Sequence, residues 1–590
     1  MTKSFIVSVF VAIAMLFCYT TKAKQSNKPN VIIIMTDDQG NNLGYLGNPW
    51  LKTPNIDKFA NEAVYLSNFH QAIMCTQSRA NLLTGRYALR TGAWRTSVGR
   101  SNMRTEEITI AEVFKENGYK TGQFGKWHLG DVWPYRSVDQ GFDETVNFKC
   151  GGISQISDFW GNDYFDDTYY HNEVPEQYEG YCTDVFFNET IRFIKDNQQE
   201  PFMIFLAPNI AHLPAIVANE YSKPWEDKGH NRKQAIYYGM LTNLDENMGR
   251  LMKALKETGV DENTIIVYTT DDGTAGYAAQ FDDEDRALET GFNMGQRGHK
   301  GSTYEGGHRL FSFIRWPGGG IKAGSEVTAL SSVMDIFPTL TDLCGIESKI
   351  PLNQDGISIK PALYGKKLKD NDDRSLCITY LVPNKELDFK RNKSCVVKGD
   401  WRWISRSELY NVNDDRLQNN NIAKQHPEIA ASMDKILDEF YAKNAKDREN
   451  PVRFILGDKN HPKIKLTTQD LWGSSAFSQG HVRKLEHGSG PWKVSFVTEG
   501  KYKITLSRYP LYTGLAFNAK TNGNNSKEFS ANKVKLKVGD KSYQKELKPT
   551  DESASFEIEV KAGDTDLETW IYSDEDITIP SYFVDVEFIK

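Results

Sequence analysis

The sequence predicts an α/β protein: a mostly parallel sheet covered by helices on both faces, then a small α+β subdomain and an appended β-sandwich. Three observations predict it. Val31-Ile32-Ile33-Ile34-Met35, Phe202-Met203-Ile204-Phe205-Leu206 and Thr264-Ile265-Ile266-Val267-Tyr268 are continuous apolar runs, two of them rich in β-branched residues. Such runs suit strands buried on both faces. Helical patterns lie between them, at Asp57 to Leu66, Ile110 to Asn117, Asp184 to Lys195 and Asn243 to Glu257. Strands that alternate with helices build a sheet covered on both sides. From about Asn450 onward, alternating segments such as Lys493 to Val497, Lys501 to Leu506, Lys533 to Val538 and Phe583 to Ile589 dominate. Turn residues separate them, which marks a sandwich of about 130 residues by strand-spacing rules.

Between these parts, Ser394 to Ile404 reads as a hairpin turning at Lys398-Gly399-Asp400, and Glu408 to Val412 as a further strand. Pro427 to Ala442 reads as a helix opened by its proline. The expected units are residues 28–365, 366–445 and 450–590 of a 590-residue chain. A hydrophobic content of 39% and a charged content of 25% describe a globular protein with ample core. The formal net charge of -7 leaves no basic footprint for nucleic acid. Lys3, the apolar run Phe5 to Phe17 and Thr21-Lys22-Ala23 read as a signal peptide over residues 1–23, too short for a membrane span. An exported protein, periplasmic or secreted and not integral to the membrane, follows. Cys18 offers a lipoprotein anchor as the alternative, although Phe17 before it is bulkier than such a site takes. The six later cysteines are sparse and carry no zinc spacing, leaving one or two disulfides open. A monomer and a homodimer are both compatible with this composition.

Ligands of open α/β sheets bind beyond the carboxyl ends of the strands. All three apolar runs carry their unusual polar residues there: Asp37-Asp38, Asp271-Asp272, and Asn209 with His212. Either acidic pair alone reads as turn residues or helix caps. Two pairs at one sheet edge repel unless a cation binds them, and all-oxygen ligation favours Ca²⁺ or Mg²⁺ over zinc. Cys75-Thr76-Gln77-Ser78-Arg79 leads into a helix start, where backbone N–H groups and Arg79 favour an anion beside the sulfur. A lone cysteine there is otherwise a packing residue. In Gly125-Lys126-Trp127-His128-Leu129-Gly130, Lys126 and His128 alternate around Trp127, so an extended segment turns both to one side. Taken alone, His212 reads as structural, and Lys300 as a solvated lysine in a glycine-rich loop.

Together these segments resemble the type I, formylglycine-dependent sulfatases of the alkaline phosphatase-like superfamily. The resemblance rests on Cys75-x-x-Ser78-Arg79 followed by Thr84-Gly85, on Gly125 to Gly130, and on His212-x-Pro214. It extends to Lys300 with Glu305-Gly306-Gly307-His308-Arg309, to Pro54-Asn55-Ile56-Asp57, and to Asp335 through Leu340. Glu408-Leu409-Tyr410 ahead of Pro427-Glu428 matches the family's C-terminal subdomain, and the stretch from Pro462 through Pro510 resembles a β-sandwich appendage of one group of bacterial-type arylsulfatases. Gln77 stands where the family has Pro or Ala, and Asp272 where it often has Asn or His.

The resemblance implies an alkaline phosphatase-like mixed sheet and a sulfuric ester hydrolase. Cys75 would be oxidised to formylglycine by a formylglycine-generating or anaerobic sulfatase-maturing enzyme. Asp37, Asp38, Asp271, Asp272 and the oxygen at position 75 would hold one divalent ion, Ca²⁺ in preference to Mg²⁺. Arg79 would add positive charge, Lys126 and Lys300 would contact the sulfate, His128 would assist its release, and His212 would protonate the leaving oxygen. The expected substrate is a sulfated carbohydrate. A phosphodiesterase or phosphonate monoester hydrolase of the same superfamily, a non-catalytic glycan-binding homologue in which Gln77 blocks modification, and an aryl sulfatase are the alternatives. Trp94, Trp127, Trp133 and Trp160 offer apolar faces for sugar rings. His299 and His308 are open between substrate contact and packing. The stretch Val132 to Tyr170 is expected to form a loop over the pocket and, with Cys377 to Arg406, to choose the sugar.

Overall fold

The computed structural model describes residues 28–278, 291–383, 392–521, 526–575 and 577–590. The leader with Cys18 lies outside these residues, as does the middle of the stretch from Cys377 to Arg406. The central sheet is built from β1 (Asn30–Thr36), β2 (Val64–His70), β3 (Lys120–Gly125), β4 (Glu144–Asn147), β5 (Thr168–His171), β6 (Val174–Gln177), β7 (Phe202–Ala207), β8 (Thr264–Thr270), β9 (Arg309–Arg315), β10 (Glu326–Val327) and β11 (Ser331–Ser332). The strands follow the order β10-β2-β9-β8-β1-β7-β3-β4-β5-β6, with β11 also paired to β2. Pairs β8-β1, β1-β7, β7-β3 and β3-β4 are parallel, whereas β9 runs antiparallel to both β8 and β2. The fold is therefore the mixed, mostly parallel α/β sheet expected.

β1, β7 and β8 are buried along their whole length, which accounts for their unbroken apolar runs. Side chains still alternate across the sheet. Val31, Ile33 and Met35 pack on one face with Leu82, Leu83 and Phe337, while Ile32 and Ile34 pack on the other with Leu241 and Leu244. Each such aliphatic side chain contributes roughly 1.5–3 kcal/mol by leaving water.

Two elements differ from their sequence reading. The helix Pro54–Asn61 stops before Leu66. Val64, Tyr65 and Leu66 instead start β2, pairing with Ile314, Phe313 and Ser312 of β9. Their branched and aromatic side chains fit a pleated surface better than a helix. The helix expected from Asn243 begins earlier, at Arg232, where the Asn231 side chain accepts the Gln234 N–H at 3.0 Å.

The α+β subdomain pairs Ser375–Tyr380, Lys393–Lys398, Trp401–Ile404 and Glu408–Asn411 in that order, backed by the helix Pro427–Asn444. Beyond it, a six-stranded and a four-stranded sheet enclose Trp492, Tyr502, Val534, Ile571 and Val584, which fits a β-sandwich. Cys75, Cys150, Cys182, Cys344, Cys377 and Cys395 are all free thiols. Among the described residues, no helix is long and apolar enough to cross a membrane.

Candidate active site

Strand register assembles the site. Thr36 pairs with Thr270, so the next residues on β1 and β8, Asp37-Asp38 and Asp271-Asp272, leave the sheet side by side. Gly125 of β3 pairs with Ala207 of β7, which brings Lys126 and His128 beside the segment carrying His212. Cys75 is the first residue of the helix Cys75–Thr84, which covers this end of the sheet. The side chains of Asp38, Cys75, His128, His212 and Lys300 then line one cleft of about 700 Å³.

The carboxylates form two overlapping clusters. Ligand atoms of Asp37, Cys75 and Asp271 lie within 4.8 Å of one another, as do those of Asp38, Asp271 and Asp272. Lys126 Nζ donates to Asp37 Oδ2 at 2.7 Å, and Lys300 Nζ donates to Asp38. Asp37 Oδ1 and both oxygens of Asp272 accept no hydrogen bond, although they are buried. Burial and the neighbouring Asp37 push the Asp271 carboxyl up to about 7, and burial with Asp38 holds Asp272 well above the usual range. Burial acts on Asp37 in the same direction, but Lys126, His212 and Arg79 overcome it and hold that carboxyl low. Orphaned buried oxygens around an excess of negative charge are the donor set of a hard divalent cation.

The Arg79 guanidinium is engaged by its neighbours: Nη2 and Nε donate to Asp271 Oδ2 at 2.8 and 3.2 Å, and Nη1 to the Lys126 carbonyl at 3.0 Å. It ties Asp271 to the segment that follows β3, and its charge also acts on Cys75. Burial, more than any charge, sets the Cys75 thiol and raises it above its ordinary value, so the unmodified sulfur stays protonated.

The two histidines are held with defined tautomers. His128 Nε2 donates to the Thr96 carbonyl at 3.1 Å, leaving Nδ1 as an acceptor 3.2 Å from Thr76 Oγ1 and 3.4 Å from Cys75 Sγ. Burial and Lys126 hold His128 well below its ordinary value, so the ring is neutral. His212 Nδ1 donates to the Leu213 carbonyl at 2.6 Å, which leaves Nε2 as its second proton site. The segment does not stay extended through His128 as expected. A φ of 61° turns the chain there, and it is this turn that brings the ring to Cys75.

The sequence reading missed Gly151-Gly152. A Cβ on Gly151 would stand 2.3 Å from His128 Cε1, and one on Gly152 would stand 3.0 Å from His212 Nδ1. The pair is a wall that both rings rest against, and the adjacent glycines are its only trace in the sequence. Gly151→Ala is expected to displace the His128 ring and lower kcat about 100-fold, since a displacement near 1 Å costs that much. The measurement is kcat beside the melting temperature, and loss of activity with folding retained is the expected result.

Several expected substrate contacts do not reach the cleft. Trp94 is fully buried and donates to the Arg448 carbonyl at 3.0 Å. His308 is fully buried too, with Nδ1 3.0 Å from His70 Nδ1 and Nε2 donating to Thr303. Trp127 donates to the Tyr135 carbonyl, Trp133 stacks on His461, and Trp160 packs edge-on to Tyr509. Each indole is used up in packing, as most tryptophans are. His299 lies beside Gly276 of the cleft, 3.7 Å from where a Cβ there would stand. Of the stretch Val132 to Tyr170, only the part from Gly151 to Gln155 lines the cleft.

The family model for Sulfatase matches residues 29–346, more than half of the chain. The chain belongs to the sulfatase family. Among curated proteins, this sulfatase is 30% identical over 372 residues to N-acetylgalactosamine-6-sulfatase of Canis lupus familiaris, covering 58% of this chain and 67% of that one. It is 31% identical over 397 residues to arylsulfatase G of Mus musculus, covering 59% and 70%. Its fold matches the crystal structure of Ps i-CgsB in complex with k-i-k-neocarrahexaose with a TM-score of 0.63 at 24% identity, covering 72% of this chain and 94% of that chain. The sulfatase is accordingly a sulfuric ester hydrolase, and its candidate chemistry converges at the carboxyl edge of the central sheet.

Proposed function

We propose that this sulfatase hydrolyses sulfate esters of carbohydrates, with residue 75 as the nucleophile. The observation that carries the reading is the convergence of Cys75, His128, His212 and Lys300 on one cleft backed by four aspartates. Oxidation of Cys75 to formylglycine supplies an aldehyde hydrate, an oxygen nucleophile that a neutral thiol does not replace. Asp37, Asp38, Asp271 and Asp272 would hold a Ca²⁺, which would supply positive charge to polarise the nucleophile and the sulfate.

The chain's own residues do the rest. Lys126 and Lys300 neutralise charge that grows on the sulfate oxygens as the ester bond breaks. His212 holds a proton on Nε2 for the departing sugar oxygen. Burial pulls its basicity down while Asp37 and Asp38 pull it up, and an arriving sulfate adds to the upward pull. His128 Nδ1 takes a proton from the group at position 75 so that sulfate leaves. Arg79 holds Asp271 in place throughout.

The carbohydrate assignment draws on the name of the N-acetylgalactosamine-6-sulfatase relative and on the neutral polar groups of Ser154, Gln155 and Ser478 in the cleft. An exported enzyme, released by cleavage near residue 23 and matured by a formylglycine-forming enzyme, fits this substrate. The test is sulfate release from a panel: the sulfates of galactose, N-acetylgalactosamine and N-acetylglucosamine, carrageenan and chondroitin oligosaccharides, and nitrophenyl sulfate. Turnover of at least one sugar sulfate is expected, and activity confined to nitrophenyl sulfate would remove the carbohydrate reading.

His212→Ala sharpens the mechanism. It is expected to cost about 10²–10⁴-fold on the sugar sulfate but under about tenfold on nitrophenyl sulfate, whose leaving group hardly needs a proton. Equal losses on both would give His212 a purely positional role.

A further inference from the structure

One wall of the active-site cleft comes from the far end of the chain. Phe477 and Ser478, which follow the α+β subdomain by more than thirty residues, line it together with Ile153, Ser154 and Gln155 of the catalytic unit. The junction is built from hydrogen bonds. Ile156 N–H donates to the Phe477 carbonyl at 3.0 Å, and Gln479 N–H to the Ser154 carbonyl at 3.2 Å. The Gln479 side chain, buried, donates to the Phe159 carbonyl at 3.0 Å and accepts from Gly161 N–H at 3.0 Å.

Phe477 itself is held by His481. Its N–H donates to His481 Nδ1 at 3.2 Å, and the His481 ring packs edge-on against the phenyl ring at 4.6 Å. Yet the phenyl is 41% exposed, and Leu213, which lines the same cleft beside His212, is 52% exposed. A single exposed apolar side chain is ordinary, but Phe477, Leu213 and Pro214 line one cleft together, and apolar groups gathered at a cleft wall mark a contact surface. The Phe477 ring has the rigidity that makes an aromatic a low-cost contact surface.

We propose that the C-terminal unit supplies a sugar subsite of this enzyme, with Phe477 as the platform for the C–H face of a pyranose and Leu213 and Pro214 completing the apolar contact. The neutral groups of Gln155 and Ser478 would meet the hydroxyls. The residues assigned to the subsite, Phe477, Leu213, Pro214, Gln155 and Ser478, carry no charge, and among the described lining residues the basic groups are Lys300, His128 and His212. The subsite is matched to a neutral ring. The proposal rests on the carbohydrate reading above and extends it to a region outside the family match.

The test uses the full-length matured enzyme and the panel sugar sulfate that it turns over fastest, with inorganic sulfate as competitive inhibitor. Phe477→Ala is expected to raise KM for the sugar about 2- to 13-fold, in keeping with one lost aromatic contact. The kcat and the inhibition constant of inorganic sulfate stay at the wild-type value, because sulfate does not reach the platform. Phe477→Tyr is expected to restore KM. A sugar KM unchanged in Phe477→Ala would overturn the subsite, as would a parallel rise in the inhibition constant of inorganic sulfate. Wild-type turnover of a sugar sulfate tests the reaction, and only the ratio between variant and wild type tests the subsite, so the two fail separately.

Discussion

Cys75→Ala is expected to abolish sulfate ester hydrolysis, with a fall in kcat of at least about 10⁴-fold, the scale set by removing a covalent nucleophile. Neighbouring hydroxyls do not replace it: Ser78 Oγ donates to the Asp271 carbonyl at 2.5 Å, and Thr76 Oγ1, 3.1 Å from His128 Nε2, would form a sulfate ester with no second hydroxyl on the same carbon to expel the sulfate. The protein should still fold, because the cysteine opens the helix at a cleft wall and one sulfur atom is a small loss of packing. Mass spectrometry of the wild-type peptide provides the companion result: a product about 18 Da lighter than the thiol form, the general thiol-to-aldehyde difference. Full activity in Cys75→Ala would take position 75 out of the chemistry.

The second large effect is one whose sign depends on the metal. Asp272→Ala should weaken Ca²⁺ binding by at least about 100-fold, since lesser changes around a metal already cost 10- to 100-fold. Activity at low Ca²⁺ should fall with it. In excess chelator the same variant should melt at a higher temperature than wild type, because it removes a buried carboxyl whose two oxygens accept no hydrogen bond and which Asp38 repels, a burden that Lys300 Nζ at 3.7 Å offsets only in part. Saturating Ca²⁺ should reverse the order, because the ion stabilises only the form that binds it. Melting curves of both proteins, with chelator and with Ca²⁺, measure this crossing. Curves that keep the same order in both conditions would exclude Asp272 from the ion's ligands.

The parts of the site legible in the sequence lie at the ends of regular strands. Asp37-Asp38 and Asp271-Asp272 follow runs whose burial is written in their composition, and parallel pairing carries both to one edge. What was not legible depends on direction and on distant chain segments. Arg79 sits four residues after Cys75, and nothing local says that its guanidinium pairs with Asp271. Trp94 and His308 have residue types suited to sugar contact, but their partners, Arg448 and His70, lie 354 and 238 residues away. Leu66 was misread because a helix and the strand after it share one apolar stretch. Phe477 was invisible for the same reason as Gly151-Gly152: its role comes only from the wall that it joins.

The burial of the nucleophile helix has a consequence for chronology. Every residue from Cys75 to Thr84 is buried, and Gln77 donates to the carbonyls of Trp94 and Thr379, at 3.0 and 3.2 Å. That side chain bolts the helix to the α+β subdomain, whose strands are drawn from the chain some three hundred residues later. The cleft admits a sugar to position 75, but a second enzyme that had to grip the backbone around the cysteine would find it wound into a helix and covered. On the mechanism proposed above, the oxidation of residue 75 therefore belongs to the life of the chain before it folds, ahead of the moment when Gln77 finds its two carbonyls.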